Sequence, residues 1–271
     1  YKETQLIDLL KHCTLCPRYC GVDRTAGGRG FCDAGRLARV ARTMLHTWEE
    51  PCLVGAHGAG AVFFAHCTLR CVYCQNYEIS HEGHGREMTE EELAAAFLSL
   101  QAQGAATLDL VTPTHYTPQI LTALTRARSN GLAIPVVWNT GGYETEENIA
   151  RLASAVDIYL PDLKYNAEES GRLYSAAPDY ATAAFAALRA MVEQVGALQF
   201  AADGRLLRGV LVRHLVLPGH RRGSIALVRR LWEAFGERIQ LSLMRQYTRL
   251  SIVGSRPSST SPLSMPHAIL A

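Results

Sequence analysis

Seven of the eight cysteines of this chain fall into two groups whose spacing is that of ligands. The tighter group is Cys67-Thr68-Leu69-Arg70-Cys71-Val72-Tyr73-Cys74, which follows the apolar run Ala61-Val62-Phe63-Phe64. Three thiolates at CxxxCxxC spacing, in one loop just after a strand, can take three corners of a cubic iron–sulfur cluster. A four-cysteine site closes every corner; three cysteines leave one iron open to an external ligand, and an open iron is reactive. The competing readings are a zinc knuckle, with His66 or Cys52 as fourth ligand, and buried thiols that only pack.

The second group is Cys13, Cys16, Cys20 and Cys32, spread over twenty residues around the glycine-rich turn Ala26-Gly27-Gly28-Arg29-Gly30. A segment this short has no core of its own, and a metal held by four thiolates supplies the missing folding energy. Tetrahedral zinc and an auxiliary iron–sulfur cluster both fit, because the gaps are neither those of a regular zinc ribbon nor those of a standard ferredoxin. Cys52 stands alone and reads as a small buried residue.

These groups need a scaffold, and composition bounds it. At 271 residues with 48% hydrophobic and 19% charged, the chain can bury one large α/β core or two modest ones. A formal charge of +2, with basic residues scattered rather than blocked, argues against a nucleic-acid stripe or a membrane-surface face. No apolar run approaches the ~20 residues of a membrane span, and no signal segment opens the chain, so export is not expected. Thiolate ligands need a reducing compartment, which points to the cytoplasm. The sequence opens at Tyr1 rather than methionine, which leaves room for an upstream start.

Beyond the cluster loop the pattern alternates. Thr89 and Glu92 make a capping box for a helix with Leu93, Ala96, Phe97 and Leu100 on one face. Strands are predicted over 107–111, 134–138, 156–160, 209–217 and 239–244, with helices around 120–124, 146–154, 185–192 and 228–235, the last capped by Ser224. With the strand before the cluster loop this makes about six βα units, two short of a closed eight-stranded barrel. The expected fold is therefore α/β, a partial (βα)6 TIM-like barrel over 46–248, with a small cysteine-rich metal-binding segment over 1–45. A disordered or aberrant Ser/Pro-rich tail is expected over 249–271. A doubly wound sheet is the competing layout.

Ligands of such folds sit at the carboxyl ends of the strands, so the segments there supply the candidate site. Thr112, Thr114 and His115 follow the second strand. Asn139 and Thr140 precede paired glycines after the third. Asp162 and Lys164 follow the fourth, where alternate side chains can face one ligand together, with an exposed ion pair as the plainer reading. Arg213 and His214 are polar residues inside an apolar strand, where they need partners.

Cys67 to Ser80, Val111 to Tyr116, Asp157 to Tyr165 and Arg213 to Gly219 together resemble radical S-adenosylmethionine proteins similar to the pyruvate formate-lyase activating enzyme. The amino-terminal cysteines, the Glu49-Glu50-Pro51-Cys52 loop and Leu243-Met244-Arg245-Gln246-Tyr247 are similar to that branch as well. The resemblance implies a [4Fe-4S] cluster on Cys67, Cys71 and Cys74 and S-adenosylmethionine bound at the strand ends, with Tyr73 against its adenine. It also implies a reductant such as flavodoxin or ferredoxin, and reductive cleavage of the nucleotide to a 5′-deoxyadenosyl radical that abstracts hydrogen from a substrate. If the branch name guides the substrate, the partner is a glycyl radical enzyme; a small molecule or another peptide is the alternative, and a non-catalytic metal-binding protein the reading from another class. Activating enzymes carry Gly-Gly-Glu after the second strand where this chain has Thr112-Pro113-Thr114-His115. The Thr248-Arg249 end also departs from the charged helix expected of the branch.

Overall fold

The computed structural model describes residues 3–247; the segment expected to form a tail lies outside the described residues. The chain opens with α1 (Glu3–Lys11), passes through the first cysteine segment without regular structure, and then forms β1 (Ala38–His46), α2 (Pro51–Val54) and β2 (Ala59–Phe64). After the second cysteine loop come α3 (Tyr77–Ser80), β3 (Arg86–Met88) and α4 (Glu90–Ala102). Strands and helices then alternate: β4 (Leu108–Val111), α5 (Thr117–Ser129), β5 (Val136–Thr140), α6 (Glu146–Arg151) and β6 (Ile158–Pro161). The last part holds α7 (Glu168–Ser175), α8 (Tyr180–Val195), β7 (Gln199–Phe200), β8 (Leu206–Leu215), α9 (Arg221–Phe235) and β9 (Gln240–Met244).

Six strands run parallel in the order the chain lays them down, β2-β4-β5-β6-β8-β9. Crossovers between parallel strands take one hand, so an order that never reverses carries every helix to the same face. A doubly wound sheet would reverse at its switch point, and this one does not. The α/β partial-barrel architecture follows, with helices outside and a second face left to line the interior. Alternation along the strands sorts the two. Leu108, Leu110, Val136, Trp138, Tyr159, Val210 and Val212 pack outward in the main core with α4, α5 and α8. Val137, Ile158, Leu160 and Leu211 point inward and close over Leu53 of α2, which plugs the amino ends of the strands.

Besides the short α2, α3 and β7, three features were not foreseen. β1 pairs antiparallel with β2, and β3 with β1, as a flange on the first parallel strand; β1 is half exposed and mixed in composition, so it carries no continuous apolar signal. α7 contains Gly171, which weakens a helix pattern. The glycine is there because a Cβ would lie 2.4 Å from the Ala177 carbonyl oxygen. The third is α1, whose short amphipathic stretch precedes the cysteines.

Two local expectations are corrected. β5 begins at Val136 rather than at residue 134, since Pro135 has no N–H to offer a neighbour. Ser224 does not cap α9: the helix starts three residues earlier, after His220, and the Ser224 hydroxyl instead meets His214 Nε2 at 2.8 Å. The Thr89–Glu92 capping box is present as expected, a feature worth ~1 kcal/mol.

Gly142, in the loop after β5, combines φ +80° with a position where a Cβ would meet the Asp162 carbonyl oxygen at 2.3 Å. Gly142→Ala therefore carries both a left-handed backbone penalty and a clash with main chain, and a loss of roughly 2–4 kcal/mol is expected in urea unfolding. An unchanged midpoint would show that the loops after β5 and β6 are not packed as described.

Candidate functional site

The CxxxCxxC loop leaves the carboxyl end of β2 and is held from several sides. Its backbone is tied to the end of α7, with Arg70 N donating to Ser175 O at 3.2 Å and Val72 N to Tyr174 O at 2.9 Å. Arg18, from the first cysteine segment, donates through Nε to Thr68 O at 3.0 Å and through Nη1 to Ala176 O at 2.5 Å. Its guanidinium also stacks over Phe31, 3.7 Å from the ring centroid. The loop is thus fixed by main-chain hydrogen bonds and one forked cation, all directed at carbonyls.

Each sulfur of the loop has one polar neighbour. Leu69 N–H points at Cys67 Sγ over 3.4 Å, the Ser175 hydroxyl lies 2.9 Å from Cys71 Sγ, and the Ser80 hydroxyl 3.2 Å from Cys74 Sγ. All eight cysteines are free thiols. Among the described residues, no three histidine, cysteine, aspartate or glutamate side chains are drawn together into a finished metal-binding arrangement. The chemistry of the donor set nonetheless fits a metal cluster. Burial, and then the charge of Cys71, push the Cys67 thiol up to about 12, and burial raises Cys71 too. Thiols this dry ionise readily only beside a cation, and a bound metal supplies one.

The first cysteine group has the same character. Burial raises both Cys16 and Cys32, and each feels the charge of Cys13. Gly30 packs against Cys20 so closely that a Cβ would meet its sulfur at 2.5 Å. Arg24, almost wholly buried, reaches from this segment to the His115 carbonyl at 2.5 Å and the Gly35 carbonyl at 2.5 and 3.0 Å. Its Nη1 is 4.0 Å from Cys13 Sγ.

Backbone strain falls on the same places. The non-glycine residues with positive φ among those described are Tyr19, Asp33, His66, Thr112 and Ala176. Three of them adjoin Cys20, Cys32 and Cys67, one adjoins Ser175, and one ends β4. Such conformations cost of order 1–3 kcal/mol each and persist where surrounding structure enforces them, as at functional sites.

Inside the barrel a chain of charges runs from floor to rim. Arg213 on β8 spends its whole guanidinium: Nη1 on Glu49 Oε1 at 3.0 Å, Nη2 on Asn139 Oδ1 at 2.6 Å, and Nε on Asp162 Oδ1 at 3.2 Å. Asp162 gives its other oxygen to Lys164 Nζ at 2.7 Å. Although burial opposes ionisation of Asp162, the Lys164 and Arg213 charges prevail and hold it below the usual carboxylate range. Lys164 is held above its ordinary value: burial opposes its charge, and Asp162 first, then Cys71, Tyr73 and Tyr180, together outweigh it. Below Arg213, burial and then the Glu49 charge push Asp109 well above the carboxylate range, so it stays protonated beside Glu49. Asn139 bridges the two carboxyl groups, donating to Asp109 Oδ2 at 3.2 Å and to Glu49 Oε2 at 3.4 Å.

Of the residues singled out in the sequence, Asn139, Asp162, Lys164 and Arg213 therefore meet on the inner face. Lys164 also acts electrostatically on Cys67, Cys71 and Tyr73. Others do not join them. Thr140 points to the outer face, where it and Thr114 donate to the buried Glu144 at 2.8 and 2.7 Å. Trp138 Nε1 and Asn148 complete that carboxylate's four hydrogen bonds. His214, next to Arg213, likewise faces outward, between the Leu163 carbonyl and Ser224. His115 lies under the cluster loop with Nε2 2.8 Å from the Ala65 carbonyl. Cys52 is half exposed rather than buried and lines a cleft of about 650 Å³ at the amino ends of the strands.

Sequence reasoning missed Glu49, Asp109, Glu144, Tyr165, Ser175, Arg18 and Arg24 as contributors. Asp109 was findable: a carboxylate in Leu108-Asp109-Leu110-Val111 is a charge in a buried strand, as Arg213 is. Ser175 and the two arginines had no local signal, because their partners are distant in sequence.

Comparison with known proteins agrees with the motif. A family model described as the Radical SAM superfamily matches residues 61–198. The chain is 29% identical to Uncharacterized protein MJ0674 of Methanocaldococcus jannaschii, covering 81% of this chain and 63% of that protein. It is 27% identical to Uncharacterized protein MJ0808 of the same organism, covering 60% and 52%. It thus spans about half to two thirds of the length of these relatives. Among solved structures it is similar to SuiB of Streptococcus suis bound to S-adenosylmethionine, at TM-score 0.45 and 12% identity over 69% of this chain and 39% of that one. It is also similar to HydG, a maturase of the [FeFe]-hydrogenase (0.45, 18%, 69% and 42%), and to anSMEcpe with bound AdoMet (0.47, 13%, 67% and 49%).

Burial lowers His115 to about 3, against about 6.5 for a free histidine. Between those values the unfolded chain binds a proton that the native chain does not. The neutral ring's contribution is therefore full above pH 6.5 and is lost as pH falls toward 3. His115→Gln is expected to flatten the pH dependence of unfolding free energy across that window; an identical slope in the variant would place the ring in solvent.

Proposed function

The chain belongs to the radical SAM superfamily, and on that footing we propose that Cys67, Cys71 and Cys74 hold a [4Fe-4S] cluster that works on S-adenosylmethionine. When bound, such a cluster supplies one electron to the sulfonium at its open iron, giving methionine and a 5′-deoxyadenosyl radical that takes hydrogen from a substrate. The observation that carries the reading is that the three-thiol loop and the Lys164–Asp162–Arg213 chain open at the same carboxyl end of the sheet.

The protein's own residues divide the labour. Lys164, held cationic by Asp162, to which it donates one N–H, keeps its two other donors for the methionine carboxylate. Asp162 is kept anionic by two cations and orients that ammonium. Tyr73, next to Cys74, lies where an adenine ring can rest. Asn139, fixed by its three partners, presents a rigid floor to the ribose side. Thr114 and Thr140 act through Glu144: with both hydroxyls spent on one buried carboxylate, the loops after β4 and β5 are locked together. Arg213 and Glu49 hold the floor, and His115 and His214 buttress the loops from outside.

The first four cysteines are assigned a second metal centre, zinc or iron–sulfur, that makes a scaffold of a segment otherwise short of core. A low-potential reductant such as flavodoxin or ferredoxin would deliver the electron, in the cytoplasm. The likeness to the activating-enzyme branch makes a glycine of a partner protein the first substrate to try, with a small molecule or another peptide as the alternative.

Anaerobic reconstitution with iron and sulfide should give a brown protein with ~4 irons at this loop, releasing 5′-deoxyadenosine on reduction. Cys71→Ala should abolish both, and a colourless zinc protein would overturn the reading. Lys164→Ala should leave iron content unchanged and weaken nucleotide binding roughly tenfold or more in equilibrium dialysis, the worth of a charge-assisted contact.

A further inference from the structure

Behind the cysteine loop, four side chains form a hydrogen-bonded line. Tyr73 and Tyr165 hydroxyls are 2.6 Å apart, the Tyr165 and Ser175 hydroxyls 2.8 Å, and Ser175 Oγ is 2.9 Å from Cys71 Sγ. Ser175 is fully buried, Tyr165 and Cys71 nearly so. The line is braced on both sides. Tyr165 packs edge-on to Tyr180 at 5.3 Å between centroids and lies against Tyr174 at 6.1 Å. The backbones at either end are joined by Arg70 N to Ser175 O and Val72 N to Tyr174 O.

Each hydroxyl in this line has one proton to give. A cluster-bound Cys71 is a thiolate, which can only accept. Ser175 must then donate to sulfur, Tyr165 to Ser175, and Tyr73 to Tyr165, so one acceptor-only atom fixes the direction of three protons. Donors aimed at a ligating sulfur withdraw charge from it and favour the reduced state of a cluster, and chained donors polarise one another. The far end of the line is the hydroxyl of the aromatic residue next to Cys74.

We propose that Ser175 and Tyr165, with Tyr73, form a polarised relay that raises the reduction potential of the cluster and reports to it whatever packs against the Tyr73 ring. This rests on Cys71 being a cluster ligand. Ser175 and Tyr165 are positioning residues: neither touches a reacting atom. The relay is also selective among the three sulfurs. Ser80, the donor at Cys74, ends on His81 Nδ1 at 2.8 Å rather than on a chain of hydroxyls, and the donor at Cys67 among the described residues is a main-chain N–H.

The test is an equilibrium redox titration of the reconstituted full chain, followed by the reduced cluster's paramagnetic resonance signal, with iron content measured on the same samples. Ser175→Ala should shift the midpoint to more negative potential, so that at a poise half-reducing the wild type its reduced fraction falls several-fold. Ser175→Thr should restore the wild-type value, and Tyr165→Phe should shift the same way by less. S-adenosylmethionine should move the wild-type midpoint more than that of Tyr165→Phe. A Ser175→Ala protein with full iron and a wild-type midpoint overturns the relay. If that variant does not assemble, an unshifted midpoint in Tyr165→Phe does so instead. Failure of the wild-type chain to take up any cluster would sink the assignment of Cys71, and is told apart by iron content alone.

Discussion

The interior of this barrel depends on a guanidinium that cannot be left alone. Arg213 lies on a strand facing a water-poor interior, and a buried cation survives there only if its donors are met by fixed acceptors. Three are provided, from three separate stretches of chain: Glu49 before α2, Asn139 on β5 and Asp162 after β6. In return the one side chain sets the distances among those three stretches. The amino-terminal floor, the middle of the sheet and the rim where Lys164 stands become one rigid piece. Asp109, pushed toward its neutral form by burial and then by the Glu49 charge, limits the negative charge that Arg213 has to balance.

This arrangement separates two tasks that would conflict if one set of residues did both. On the proposed reading the rim presents charge to a ligand, and it is partly open: the Asp162 side chain is 30% exposed. The floor must hold that charge still, and is dry. Outside the sheet Glu144 plays a matching part with uncharged partners, tying the end of β5 to the segments after β4 and β5. Here four neutral donors surround a carboxylate whose burial pushes it upward, with their hydrogen bonds opposing the rise.

Much of this was legible in the chain before any coordinates. The CxxxCxxC loop, the alternation of about six βα units and the pairing of Asp162 with Lys164 follow from spacing and periodicity, which are local properties; the order of the strands in the sheet does not. What could not be read is what depends on contacts across the sequence. Alternation along β5 and β8 could have told that Thr140 and His214 face away from Asn139 and Arg213; the error was to treat neighbours in sequence as neighbours in space. Glu49 was visible only as part of a resemblance, because nothing in Trp48-Glu49-Glu50-Pro51 says that it turns under a strand 164 residues later. α7 was hidden by Gly171, whose absent side chain is what lets the helix lie against the Ala177 carbonyl and Tyr180.

The two acceptors of Arg18 lie 50 and 158 residues further along the chain. During synthesis the amino terminus emerges first, yet its seat is not built until Ala176 has left the ribosome. The segment that carries the four early cysteines therefore cannot settle into its final seat until chain made 158 residues later is in place, and whatever orders it before then has to be local.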